Sequence, residues 1–96
     1  MAIKVEIPTP LREQAGGKTE VTVAGATVGA ALADLVKQYP ALEPKLFLNG
    51  QVRQHINVFF RGPGYETDED IRYHDELATP LKDGMVVLII PAVAGG

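Results

Sequence analysis

The chain has 96 residues, a length that one compact domain fills without room for a second. Apolar residues make up 46% and charged residues 22%, an ordinary globular balance that excludes disorder of the whole chain. A net charge of −3 with scattered Lys and Arg excludes a basic footprint for nucleic acid, and the absence of cysteine excludes disulfides, thiolate metal sites and a cysteine nucleophile.

No stretch approaches the ~20 apolar residues that a membrane span needs. The chain runs from Met1-Ala2 straight into a strand pattern without signal-peptide architecture. A cytoplasmic, non-redox domain with no membrane partner is the expectation. Ile3, Val5 and Ile7 alternate with Lys4 and Glu6, which predicts a strand with one buried face. Pro8 and Pro10 end it, and Gly16-Gly17 supplies a turn. Val21 and Val23 alternate with Glu20, Thr22 and Ala24 in a second strand, most simply the other half of an antiparallel hairpin.

Val28, Ala31, Leu32, Leu35, Val36 and Tyr39 then fall at i, i+3, i+4, i+7, i+8 and i+11, an amphipathic helix. Thr27 is placed as its N-cap, and Pro40 stops it because the residue before a proline is pushed out of the α region. The segment from Ala41 to Gly50 reads as irregular, anchored by Leu42, Leu46 and Leu48. A third strand is predicted from about Val52 to Arg61, with Ile56, Val58 and Phe60 on one face and Phe59 on the other. Gly62-Pro63-Gly64 breaks it, an acidic loop follows, and Ile71 and Tyr73 suggest a short edge strand. Asp83-Gly84 turns the chain into Met85-Val86-Val87-Leu88-Ile89-Ile90. That run is apolar on both alternating faces, the pattern of a central strand with a parallel neighbour. Pro91 is read as its end.

The usual catalytic constellations are missing. The chain has no serine, so a serine nucleophile is excluded. His55 and His74 lack a second ligand at helical spacing and read as surface or packing residues. The acidic stretch Glu66, Asp68, Glu69, Asp70 lacks the ligand order of a calcium loop, and Gly62-Pro63-Gly64 lacks the context of a phosphate cradle. No metal site is expected.

The tail remains. A Gly95-Gly96 end is by itself equally consistent with a frayed terminus. The functional alternative is that glycines let the backbone pass through a channel where any Cβ would clash. They also leave a terminal carboxylate open to activation. A carboxylate is a poor electrophile, but adenylation converts it into a mixed anhydride that sulfide can attack, and no catalytic side chain of the carrier is needed.

The tail Ile90-Pro91-Ala92-Val93-Ala94-Gly95-Gly96 stands with Leu77-Ala78-Thr79, Asp83-Gly84 and Asp70-Ile71-Arg72. The opening Val5-Glu6-Ile7-Pro8-Thr9 with Leu11-Arg12 and Gly16-Gly17 completes the set. Over nearly its whole length the chain thereby resembles the ThiS/MoaD family of sulfur carriers, relatives of ubiquitin, and most of all the CysO type. Arg61 to Thr67 departs from the pattern as an extra stretch.

The resemblance implies an α+β, β-grasp (ubiquitin-like) fold: a mixed four- to five-stranded sheet with one main helix packed on one face. Residues 1–90 would form the domain and 91–96 a flexible tail. It also implies that the chain is a carrier, not an enzyme. Gly96, held out by Gly95, would be adenylated by an E1-like enzyme of the MoeB/ThiF type using ATP and Mg²⁺, and sulfur transfer would give a thiocarboxylate. No cofactor would be held by the carrier itself. For the CysO type the acceptor is a PLP-dependent cysteine synthase, and a JAMM-type zinc peptidase regenerates the carrier. For the MoaD type sulfur goes into molybdopterin, and for the ThiS type into thiamine.

Partner contacts are expected along Pro91, Ala92, Val93 and Ala94 and on an outward patch of Phe59, Val87 and Ile89, if the helix covers Val58, Phe60, Val86, Leu88 and Ile90. A one-residue change of register exchanges the two sets. Two other classes stay open: a protein modifier that joins its tail to lysines, and an interaction module with an inert tail.

Overall fold

The computed structural model describes residues 2–92. β1 (Ala2–Glu6) and β2 (Glu20–Ala24) pair antiparallel in the register Ile3 with Val23 and Val5 with Val21, which puts their apolar residues on one face. The connection is a 3-10 helix over Thr9–Ala15 that buries Leu11 and Ala15 beneath it. It closes on Gly16, whose φ of 65° is one that glycine adopts without steric cost.

Helix α1 (Val28–Gln38) starts where Thr27 Oγ1 accepts the Ala30 N–H at 3.1 Å, the expected cap. Its buried stripe is Val28, Ala31, Leu32 and Leu35. Two polar residues of the same helix complete the sheet edge: Asp34 Oδ2 accepts from Ala24 N–H at 3.0 Å, and Gln38 Nε2 donates to Thr22 O at 3.1 Å. These bonds occupy backbone groups that an edge strand would otherwise offer to another chain.

The segment expected to be irregular is more ordered than its sequence suggests. A 3-10 turn at Pro40–Leu42 runs into the one-turn helix α2 (Glu43–Leu46), then a small hairpin of β3 (Phe47–Leu48) and β4 (Gln51–Val52). Asn49 and Gly50 at its tip both have positive φ, as a two-residue hairpin turn demands. Leu42 and Leu46 anchor it in the core, whereas Leu48 is 54% exposed and does not.

The predicted third strand divides accordingly. Val52 belongs to the hairpin, and β5 begins at Ile56 and runs to Arg61. The short edge strand β6 is Glu69–Asp70, ahead of the expected Ile71 and Tyr73. Those two lie in a 3-10 turn that begins where Asp70 caps the Arg72 N–H at 2.9 Å. The final strand β7 (Val86–Pro91) lies between β1 and β5, parallel to β1 and antiparallel to β5. The five-stranded sheet has the order β2-β1-β7-β5-β6 with α1 on one face, a mixed β-grasp sheet. Strands apolar on both faces belong at such a centre, because neighbours on both sides remove them from water.

Candidate functional site

The last strand sets where the tail leaves the domain. Ala92 N–H donates to His55 O at 2.6 Å, so the ladder between β5 and β7 continues beyond Ile90. In an antiparallel pair the bonded and non-bonded positions alternate, which puts Pro91, opposite Ile56, at a position whose backbone turns away from β5. On that other flank the pairing with β1 has already stopped at Glu6 opposite Leu88. The missing proline donor therefore costs no strand bond, and β7 includes Pro91 rather than stopping before it. Ala92 is exposed. The roles expected for Gly96 and Gly95, and the tail contacts expected of Val93 and Ala94, fall outside the described residues.

The sheet face away from α1 differs from expectation. Directly opposed residues of an antiparallel pair share a face. Val58 opposes Ile89 and Phe60 opposes Val87, so all four point toward α1 and are buried. Val87 and Ile89, expected outward, are 0% and 3% exposed. Phe59 keeps its expected outward position, opposite Leu88, and the outer apolar patch is Phe59 with Val86, Leu88 and Ile90. Five apolar residues in a row carry no alternation, so their parity follows from pairing with β5 and not from their own pattern.

An ion pair crosses this patch. Glu6 on β1 stands abreast of Leu88, and Arg61 on β5 stands abreast of Val86. Their side chains meet over the intervening strand, with Arg61 Nη2 at 2.5 Å from Glu6 Oε2, while Arg61 Nη1 reaches Asp68 Oδ1 at 3.7 Å. Leu88 is buried on this face, and Ile90 beyond the bridge is 42% exposed. Lys4 pairs with Glu20 at 3.5 Å on the flank. Half-exposed pairs of this kind contribute about 0–1 kcal/mol, so they shape the rim of the patch more than they stabilise the fold. Sequence reading missed the bridge because 55 residues separate its members; charged residues at outward strand positions were the only signal.

The Arg61 to Thr67 stretch is fastened to the domain. The Tyr65 ring packs edge-on to Phe60 with centroids 5.1 Å apart, and His74 packs on Phe60 at 5.0 Å. His74 Nε2 lies 3.0 Å from Glu69 Oε1, and Thr67 Oγ1 donates to Glu69 Oε2. These bonds, that of His74 first, hold the Glu69 carboxyl below its ordinary pKa. The Arg72 guanidinium, bonded in a fork to buried Asp70, likewise lowers the Asp70 pKa. His74 thus packs on Phe60 from the surface, and His55 is likewise exposed. Among the described residues no three His, Asp or Glu side chains gather as metal ligands, and no helix is long and apolar enough to cross a membrane.

Comparison with known proteins supplies the context for this geometry. The ThiS family model matches residues 5–96. The sulfur carrier protein CysO of Mycobacterium tuberculosis is 38% identical over 99 aligned positions that cover all of both chains. The crystal structure of the Amycolatopsis orientalis BexX/CysO complex contains a chain that matches with a TM-score of 0.86 at 36% identity, over 99% of this chain and 100% of that one. Small archaeal modifier protein 1 of Haloferax volcanii matches with a TM-score of 0.81 at 32% identity over the whole of both chains.

Proposed function

Because this chain belongs to the ThiS family, we propose that it is a sulfur carrier protein of the CysO kind and that the Gly96 carboxylate is its working group. The observation that carries this reading is the full-length likeness to CysO, which includes the tail. The chain acts as a co-substrate of partner enzymes and is not itself an enzyme. An E1-like adenylating enzyme of the MoeB/ThiF type, using ATP and Mg²⁺, joins the carboxylate to AMP and releases pyrophosphate. Sulfide then attacks the acyl carbon and AMP leaves, giving the thiocarboxylate. The negative charge of the starting carboxylate, which makes it a poor electrophile, is removed by the first step.

The outer patch of Phe59, Val86, Leu88 and Ile90 suits docking of such partners, because it is apolar, lies on the strand that leads into the tail, and is rimmed by charge. Pro91 and Ala92 then begin the path to the enzyme. The sulfur goes to cysteine through a PLP-dependent synthase, and a JAMM-type zinc peptidase restores the carrier. Similarity to small archaeal modifier protein 1 favours a second reading, in which the activated Gly96 is passed to lysines.

Intact-mass measurement tests the first reading, after incubation with ATP, Mg²⁺, sulfide and E1-like enzymes of the source organism. Replacement of one oxygen by sulfur in the C-terminal peptide, lost when Gly96 is deleted, is the expected result. No replacement, together with lysine-linked adducts in cell extract, would reject the carrier in favour of the modifier.

A further inference from the structure

A cleft of about 420 Å³ lies beside the tail root, on the β1 flank of β7, where it borders the outer apolar patch at Leu88 and Ile90. It is lined by Ile7, Arg12, Leu88 and Ile90 together with Glu6 and Glu20. Arg12 is held there by its neighbours in the 3-10 helix, since Leu11 and Ala15 are buried beneath that turn. Its Nε donates to Ile7 O at 3.0 Å, which fixes the plane of the guanidinium. Its two terminal nitrogens make no hydrogen bond or ion pair among the described residues. The nearby acids are committed elsewhere, Glu6 to Arg61 and Glu20 to Lys4. An arginine oriented in this way has already lost part of its conformational freedom and keeps its outer donors for a carboxylate.

The position says whose carboxylate. Ile90 lines the cleft, and the chain leaves the sheet two residues later. From Ala92 to Gly96 an extended backbone spans at most about 14 Å, so an enzyme holding Gly96 at its reacting atoms must lay its surface against the residues around the tail root. We infer that Arg12 docks an acidic side chain of the enzyme that takes the tail, as a second contact beside the apolar patch. Side-chain recognition fits this flank better than strand addition. Ile7 gives its N–H to Thr19 O of the hairpin, and neither Pro8 nor Pro91 has an N–H to give an incoming strand. The inference rests on the carrier reading above.

The test uses the full chain and the adenylating enzyme that thiocarboxylates it. Arg12→Gln raises the KM for the carrier about ten-fold, the scale of one charge-assisted bond. It leaves kcat unchanged, because the chemistry occurs at Gly96. It also flattens the rise of KM with ionic strength seen for the unaltered chain, while Arg12→Lys retains that rise and Lys18→Gln behaves as the unaltered chain. A thermal melt of each variant accompanies the kinetics, and the salt response of the unaltered chain needs no variant to fold. Equal KM for Arg12→Gln, a loss confined to kcat, or a KM of the unaltered chain that ignores salt would each overturn the inference. Loss of KM through self-association at the cleft, seen as a dimer by light scattering, would overturn it as well. If no enzyme converts the unaltered chain, the carrier reading has failed and this inference falls with it.

Discussion

Ile89 and Ile90 are neighbours on β7 with opposite surroundings, and truncating each in turn separates packing from docking. Ile89 is 3% exposed and faces α1 beside Val58, whereas Ile90 is 42% exposed on the outer face. Ile89→Ala removes fully buried methyl and methylene groups from a core held by strands on both sides, where collapse around the void is limited. A cost of about 3 kcal/mol follows, within the usual range for such truncations. For a chain of this size that lowers the melting temperature by about 15 °C. Ile90→Ala removes groups already in partial contact with water and leaves no enclosed cavity, so it costs about 1 kcal/mol or less. Urea unfolding followed by circular dichroism reads both values. Under saturating ATP and sulfide, the KM for the carrier in the thiocarboxylation assay should rise for Ile90→Ala and stay unchanged for folded Ile89→Ala. Equal destabilisation by the two, or the larger effect at Ile90, would refute the assignment of faces. A normal KM for Ile90→Ala would refute the outer patch as a docking surface.

Two further outcomes follow from single contacts. Gly25→Ala places a Cβ 2.5 Å from the Ala31 backbone nitrogen, which no rotamer relieves, so strand and helix must part; a loss of about 2 kcal/mol or more is expected by denaturant titration. For Asp70, the Arg72 fork lowers the folded-state pKa below the unfolded value of about 3.9, so its contribution is complete above that pH and drains away as pH falls through the folded pKa. Asp70→Asn should therefore be less stable than the unaltered chain at pH 7 and converge with it in strong acid, a gap measurable by urea unfolding across the acid range.

Much of the molecule was legible because local rules and tertiary demands agree. The stripe from Val28 to Leu35 with Thr27 before it specifies a capped helix wherever that helix packs, and Ile3, Val5, Val21 and Val23 alternate because one face of their hairpin is wet. The apolar run at Val86–Ile90 announced a central strand. The same run hid its orientation, since every position suits a core, and the outward set consequently changed from Val87 and Ile89 to Val86, Leu88 and Ile90. Leu48 misled for a related reason: a leucine in a short hairpin is apolar whether or not the hairpin tip meets the core.

The sequence by itself determined the class of fold, its main helix and the place of the last strand at the centre of the sheet. Those features follow from periodicity, capping and the residue types present, which act within a few residues of one another. Only the tertiary structure decided which face of β7 looks out, that Glu6 and Arg61 bridge across it, and that Arg12 stands at the tail root. Each of these depends on register between strands far apart in the chain, and register is set by the simultaneous pairing of β1, β7 and β5, which no single segment encodes.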